Sequence, residues 1–88
     1  MKMNFGQALE ALKQDKWIRR AGWNGKGMHI YLEEHMVWPI KGGVFKGTVR
    51  HYEPCVVLYT AQGTHQPGWV CSQADMLAED WEVVEEEA

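Results

Sequence analysis

The run from Arg20 to Gly27 (RAGWNGKG) combines residue types that can hold a phosphorylated ligand. Its glycines allow backbone N–H groups to turn towards an anion. Trp23 offers a flat face on which a base can stack, and Arg20 and Lys26 can neutralise phosphate. The run is therefore a candidate nucleotide-binding loop. Asn24-Gly25 is also the strongest short signal for a β-hairpin turn, and the two interpretations are compatible.

The residue types used in catalysis and metal binding, such as histidine and cysteine, are scattered along the chain. The four histidines show no i, i+4 spacing, and Cys55 and Cys71 have no metal-like spacing. Cys71 precedes a predicted helix, where a thiol can become acidic, but no flanking nucleophile signature accompanies it. Reduced thiols are the default in a cytosolic chain, and a disulfide between the two stays an alternative. The pattern favours a binding module over an enzyme, with no metal and no cofactor.

Length and composition indicate one small domain over residues 1–88. Hydrophobic residues make up 45% of the chain, which is enough for a single core. Five tryptophans are many for such a core, so we expect some of them at a ligand site or a subunit interface. The chain has no apolar run of transmembrane length and no hydrophobic signal core at its N-terminus. We therefore expect a cytoplasmic protein without a membrane partner.

The charges are unevenly distributed around a net charge of −3. Basic residues are concentrated in the first third of the chain, and acidic residues in the last quarter. A local basic patch on an acidic protein suits a small anion better than a DNA or RNA polymer, which would also meet the acidic surface. Five of the early basic residues lie close together along the chain: Lys13, Lys16, Arg19, Arg20 and Lys26.

The N-terminal third predicts a helix followed by a hairpin. Asn4 and Gln7 have the spacing of a capping box, and apolar residues then recur at helical intervals, which indicates a helix from about Phe5 to Gln14. Trp17–Arg20 and Met28–Leu32 are predicted strands on either side of Asn24-Gly25. In the second strand, Met28, Ile30 and Leu32 alternate with His29 and Tyr31.

The middle of the chain is the least regular part of the sequence. Breakers at 38–39 and 42–43 interrupt the stretch from 33 to 54, where Val37–Ile40 and Val44–Val49 suggest a second small hairpin. This segment can serve an interface or cover a pocket, and the sequence leaves both open. The β-branched run Cys55–Tyr59 predicts a buried strand, followed by a turn over 61–64.

The last quarter predicts a short helix between two strand segments. Trp69 and Val70 resume the extended chain, and Ser72 caps a helix with Asp75 as its capping-box partner. Residues 81–84 form a last strand, and residues 85–88 are an acidic tail. Together the elements predict a small α+β domain, in which an N-terminal helix and a second short helix pack on an antiparallel sheet.

Three segments of the chain are distinctive in combination: residues 3–12 (MNFGQALEAL), 20–28 (RAGWNGKGM) and 69–84 (WVCSQADMLAEDWEVV). Together they resemble the second Thoeris anti-defence family of small phage and prophage proteins. Each segment alone is a weak signal, but their order and spacing in so short a chain make the combination specific. The stretch from 33 to 54 does not match clearly, and this leaves ligand choice open.

The resemblance implies sequestration of a signal. Members of this family bind cyclic ADP-ribose isomers made by bacterial TIR-domain proteins and hold them intact, which inhibits Thoeris-type immunity. Some relatives also hold cyclic oligonucleotides. The family forms homotetramers with nucleotide pockets where subunits meet, uses no cofactor, and acts in the cytoplasm of the bacterial host. Two alternatives remain: an enzyme that degrades the same signal, and an inhibitor that covers a defence protein with its acidic surface.

The resemblance also implies roles for individual residues. Trp23 and Trp69 would stack on the adenine, and Asn24 and the N–H groups about Gly25 would face polar edges of the ligand. Ser72 and Gln73 would offer a helix N-terminus to an anion. Asp75 would accept from a ribose hydroxyl or cap the helix, and the cap is favoured. Arg20 and Lys26 would bind the phosphate groups, an assignment that rests on their charge.

Overall fold

Helix α1 (Phe5–Lys13) begins at the capping box that the sequence predicts. In the computed structural model, which describes residues 2–35, 37–44 and 46–85, the Asn4 side chain accepts from the Gln7 N–H at 2.9 Å. The Gln7 side chain accepts from the Asn4 N–H at the same distance. The helix buries Ala8, Ala11 and Leu12, whose spacing places them on one face. The predicted helix is confirmed, with Gln14 as its C-cap.

The end of α1 is a Schellman motif built on a non-glycine residue. The Lys16 N–H donates to the Ala11 carbonyl at 3.2 Å, and the Asp15 N–H donates to the Leu12 carbonyl at 3.0 Å. Asp15 has a φ of +63°, in the left-handed region that glycine adopts without a Cβ penalty. The helix end is therefore well bonded but carries backbone strain at Asp15.

Replacing Asp15 with glycine is expected to stabilise the protein by about 0.5–1 kcal/mol, because glycine relieves this strain. Urea unfolding followed by circular dichroism measures the change. Lys13→Gly is the matched control, since it places the same residue inside the last turn of α1, where it should cost about 1 kcal/mol. Equal destabilisation by both substitutions would show that Asp15 is not strained.

Within the described residues, seven short strands form two antiparallel sheets. The larger sheet has the order β6-β5-β2-β1-β7, and the smaller one pairs β3 with β4. The strands are β1 (Ile18–Arg20), β2 (His29–Glu33), β3 (Val37–Pro39), β4 (Val49–His51), β5 (Cys55–Tyr59), β6 (His65–Pro67) and β7 (Trp81–Val83). With α1 and the second helix α2 (Gln73–Leu77), they confirm the predicted α+β class.

The core lies between α1 and one face of the larger sheet. Cross-strand pairing places Ile18 opposite Ile30 and Val83, and Ile30 opposite Leu58, so these side chains share one face. Ile18, Ile30 and Trp81 are completely buried there against Ala8 and Leu12 of the helix. The opposite face carries the row formed by His29, Tyr59 and His65, which are paired across β2, β5 and β6.

The predicted second hairpin is present, with its strands shifted. β3 and β4 pair from Val37↔His51 to Pro39↔Val49, so the second strand begins where the predicted one ends. The hairpin is exposed, and Trp38 keeps 56% of its surface accessible. The radius of gyration of 15.1 Å exceeds the roughly 12 Å expected for a domain of this length. The elongation fits a hairpin that projects from the domain.

The strand predicted at Trp69-Val70 is wrong, since the extended segment that joins the sheet is β6 (His65–Pro67). The chain turns at Gly68, whose φ is +84°, and the N–H groups of Gly68 and Trp69 both donate to the Val56 carbonyl at 3.0 Å. Because both N–H groups bind this one carbonyl, the pairing between β5 and β6 ends before Trp69. The acidic tail predicted over 85–88 lies mostly outside the described residues. Within the described part, no helix has the length and apolar character needed to cross a membrane.

Candidate functional site

The glycine loop, residues 21–28 between β1 and β2, contains two successive turns. The Trp23 N–H donates to the Arg20 carbonyl at 3.2 Å, and the Met28 N–H donates to the Gly25 carbonyl at 3.3 Å. Gly27 is the third residue of the second turn, and its φ of +80° is the value that a type II turn requires there. β1 and β2 do form the predicted hairpin, but their connection is this longer loop and not a tight Asn24-Gly25 turn.

Asp80 explains why the loop is long. The Asp80 carbonyl accepts from the Ala21 N–H at 2.9 Å, and its Oδ2 accepts from the Gly22 N–H at 2.8 Å. These bonds hold the start of the loop beside β7 and away from β2. A Cβ on Gly22 would lie 2.9 Å from Asp80 Oδ2, so this position needs glycine for the close approach.

Arg20 connects the loop to helix α2 through two carboxylates. Its Nε donates to Asp80 Oδ1 at 2.8 Å, and its Nη1 donates to Asp75 Oδ1 at 3.0 Å. Asp75 Oδ1 also accepts from the Trp23 Nε1–H at 3.2 Å. Asp75 therefore fixes both a cation and an indole of the predicted ligand loop. Among the described residues, these two bonds use two of the five N–H donors of Arg20.

The charges in this network shift the pKa values of their partners. Burial by itself would raise the pKa of Asp75, but hydrogen bonds from Arg20, Trp23 and Ser72 outweigh it and leave the pKa below its ordinary value. The hydrogen bond from Arg20 lowers the pKa of Asp80 in the same direction. Both carboxylates raise the pKa of the Arg20 guanidinium in return. The network is therefore fully ionised near neutral pH.

These shifts predict a loss of stability in acid. Because the folded-state pKa values of Asp75 and Asp80 lie below their unfolded values, their stabilisation is complete above about pH 4 and is lost as pH falls through the folded-state values. The melting temperature should therefore be nearly constant from about pH 7 to pH 5 and fall below about pH 4. Thermal melts of the wild type across this range measure the effect.

Asp80→Asn should lower the melting temperature at neutral pH and make its decline in acid shallower, because the variant has lost one of the two carboxylates with a lowered pKa. Glu10→Gln removes an exposed carboxylate on α1 and should keep the wild-type decline. The interpretation fails if Asp80→Asn declines as steeply as the wild type.

Three tryptophans meet beside this network. Trp23 lies edge-on to Trp81, with ring centroids 5.4 Å apart, and to Trp69, with centroids 6.2 Å apart. Trp81 is completely buried, and its Nε1–H donates to the Asp75 carbonyl at 2.9 Å. The planes of Trp23 and Trp69 cross at 67°, so one base cannot lie sandwiched between these two rings.

A cavity of about 260 Å³ opens beside Trp23, where the glycine loop meets the ends of β1 and β7. Its cations are Arg19, Arg20 and Lys26. Arg19 lies 3.7 Å from Glu82, and Arg20 is paired with Asp75 and Asp80. Among the residues that the structure describes, Lys26 is the cation lining this cavity that has no carboxylate partner.

Gly25 forms part of the wall of the same cavity. A Cβ at this position would collide with the Sδ atom of Met28 and would lie 3.1 Å from the Cβ of Ala61. The close packing explains why this position of the loop has no side chain. Other clefts in the described part of the chain are larger, and two of them, of about 460 and 580 Å³, lie at the end of α1 and beneath the β3–β4 hairpin. Neither contains a residue of the glycine loop.

The structure brings only some of the predicted ligand residues to this cavity. Arg20, Trp23, Gly25 and Lys26 line it. Asn24 is exposed on the loop between them, and Trp69 packs behind Trp23 without lining the cavity. The ligand-binding roles of all these residues stay predictions.

The predicted roles at α2 divide in a similar way. Ser72 and Asp75 form the favoured capping box, in which Ser72 Oγ accepts from the Asp75 N–H at 3.0 Å and Asp75 Oδ2 accepts from the Ser72 N–H at 3.4 Å. The cap is therefore confirmed. The helix has five residues, and its N-terminus already has a carboxylate of the chain itself. An anion site at Ser72 and Gln73 stays a prediction.

Asp80 is the main residue of this region that sequence reasoning missed. It binds both Arg20 and Gly22, which lie 60 and 58 positions earlier in the chain. No local pattern around Asp80 indicates these contacts. The excess of basic residues near the loop and of acidic residues near the C-terminus was the available signal, because opposite charges from the two ends can meet in one ion-pair network.

Two comparisons with known proteins place the chain among relatives. The family described as the Thoeris anti-defense 2-like domain matches residues 3–84. A protein named Thoeris anti-defense 2, from Bacillus phage SP01, is 38% identical over 86 residues. That alignment covers 94% of this chain and 96% of the phage protein, so it extends over nearly the whole length of both.

Proposed function

Because this chain belongs to the Thoeris anti-defense 2 family, we propose that it inhibits a Thoeris-type defence by sequestering a cyclic ADP-ribose-type signal without cleaving it. The ligand would bind in the cavity beside Trp23. A sequestering protein needs tight binding and no turnover, so its site requires complementary contacts rather than an acid, a base or a nucleophile.

The observation that supports this proposal most directly is the pairing of an indole with an unpaired cation in one cavity. Trp23 supplies an aromatic surface, and Lys26 supplies a charge that forms no ion pair within the described residues; the Glu82 carboxylate, which also lines the cavity, pairs with Arg19. A phosphorylated adenine ligand has a group for each of them, since a base stacks on aromatic rings and a phosphate attracts ammonium. The N–H donors of Arg20 outside its two bonds to carboxylates can bind a second phosphate oxygen.

The cavity of a single chain is small for a nucleotide. Its volume of about 260 Å³ lies below the range of roughly 300–1,000 Å³ that is usual for sites enclosing a small molecule. We propose that a second copy of the chain closes it in a homotetramer. The apolar residues on the projecting hairpin, such as Val37 and Trp38, offer a surface for contact between copies.

Isothermal titration against cyclic ADP-ribose isomers and cyclic dinucleotides, combined with light scattering, tests the proposal. We expect saturable binding of at least one cyclic ADP-ribose isomer and the mass of a tetramer. Heating the complex should then release unmodified ligand. Recovery of a cleaved product, or clearance of excess ligand by substoichiometric protein, would instead show an enzyme. Failure to bind any nucleotide, with capture of a defence protein, would show a protein-blocking inhibitor.

Lys26→Gln tests the phosphate contact. A charge-assisted hydrogen bond contributes about 1.5–3 kcal/mol, so this substitution should weaken binding by about tenfold or more and reduce its salt dependence. Lys13→Gln is the control, because Lys13 lies on the exposed side of α1 next to Glu10. Equal affinities of the two variants would remove Lys26 from the site.

A further inference from the structure

His29 is buried on the face of the sheet opposite the helices, with 8% of its surface exposed. Its ring lies 4.4 Å from the ring of Trp17 at an interplanar angle of 12°, and 4.9 Å from the ring of Tyr59 at 23°. Because β2 lies between β1 and β5 in the sheet, these two rings contact opposite faces of the imidazole. The stack fixes the plane in which His29 can form hydrogen bonds.

Within that plane, the Nδ1 atom of His29 is 2.9 Å from the Gly27 carbonyl oxygen. A carbonyl oxygen only accepts, so Nδ1 carries the proton and donates it. Gly27 has a φ of +80° and belongs to the cavity wall, directly after Lys26. The hydrogen bond therefore connects a stacked ring on one face of the sheet to the loop that forms the candidate site.

The loop needs such a restraint from outside. Its second turn is closed by a hydrogen bond of 3.3 Å between Met28 N and the Gly25 carbonyl, which is long for a strong contact. Ile18↔Ile30 is the pairing that joins β1 to β2, so the ladder gives the loop little support from that side. Glycines at 25 and 27 also leave the unrestrained backbone many conformations.

We propose that His29 is a positioning residue for the ligand site: its Nδ1–H holds the Gly27 carbonyl and so fixes Lys26 in the cavity before the ligand arrives. An ordered loop avoids the entropy loss of ordering on binding, which raises affinity. The proposal rests on the proposed function, because it assigns His29 an effect on ligand affinity. The restraint that His29 places on the loop exists without any ligand.

Two substitutions separate the hydrogen bond from the stack. His29→Phe keeps a flat ring between Trp17 and Tyr59 but has no donor. His29→Asn loses the ring but can place its amide nitrogen near the position of Nδ1. Amide hydrogen exchange of residues 25–28 is measured without ligand, and titration with a cyclic ADP-ribose isomer measures affinity. His29→Phe should speed exchange by about tenfold and weaken binding by about tenfold, and His29→Asn should restore much of both.

A third measurement needs no variant. Two-dimensional NMR of the wild type should show the neutral imidazole of His29 protonated at Nδ1, and protonation at Nε2 alone would overturn the proposal even where His29→Phe does not fold. Wild-type exchange and affinity in His29→Phe would also overturn it, as would faster exchange with unchanged affinity. If exchange quickens but no cyclic nucleotide binds the wild type, the restraint stands and the proposed function fails.

Discussion

Replacing Trp23 with alanine is expected to weaken binding of a cyclic ADP-ribose isomer by about tenfold or more. Stacking of a base on an aromatic ring contributes about 1–3 kcal/mol, and Trp23 is the aromatic residue that lines the cavity in the described part of the chain. The substitution also removes the N–H that donates to Asp75, so this carboxylate loses one of its partners. Titration calorimetry at constant salt concentration measures the change.

Trp23→Phe and Leu77→Ala are the controls for this prediction. Phenylalanine keeps an aromatic face but no donor, so it should retain part of the affinity. Leu77 lies on α2 with 75% of its surface exposed and away from the cavity, and its substitution should leave binding unchanged. Thermal melts establish that each variant is folded. A folded Trp23→Ala protein with wild-type affinity would exclude this indole from ligand contact.

Trp81→Ala should cost about 3–5 kcal/mol of stability, the largest effect on folding that we expect from one substitution. Trp81 is completely buried, contacts Phe5 and Trp23, and donates to the Asp75 carbonyl. A domain of this length has a total stability of about 4–13 kcal/mol. The variant should therefore lose a large share of this stability and unfold at a much lower urea concentration than the wild type.

Trp81→Phe should lie between the wild type and the alanine variant, because it keeps most of the buried area and loses the hydrogen bond. Val70→Ala changes a side chain that is 85% exposed and should stay within about 0.5 kcal/mol of the wild type. If Trp81→Ala unfolds at the same urea concentration as Val70→Ala, the assignment of Trp81 to the centre of the core is wrong.

Features that depend on residues close together in the sequence could be predicted from it. The capping boxes at Asn4 and Ser72 depend on a partner three positions away, and both form. The strand Cys55–Tyr59, which buries Val57, follows from its own β-branched residues. The α+β class then follows from the order of helices and strands, because each has an apolar face that must be covered.

Features that depend on distant contacts could not be predicted in the same way. Asn24-Gly25 has the residues of a tight turn, but Asp80 binds the start of the loop and lengthens the connection. Arg20 has a charge that suits a phosphate, and no local sequence pattern identifies the two carboxylates that pair with it. Burial of His29 between two rings depends on pairing among three strands, which a single strand cannot reveal.

The edge-to-face arrangement of Trp23, Trp69 and Trp81 has an optical consequence. Their ring centroids lie between 5.4 and 6.3 Å apart, close enough for the electronic transitions of the three indoles to couple. The near-ultraviolet dichroism of the protein should therefore contain an exciton signal from this group. A ligand that stacks on Trp23 would alter this signal, so ligand binding could be followed by dichroism without an added dye.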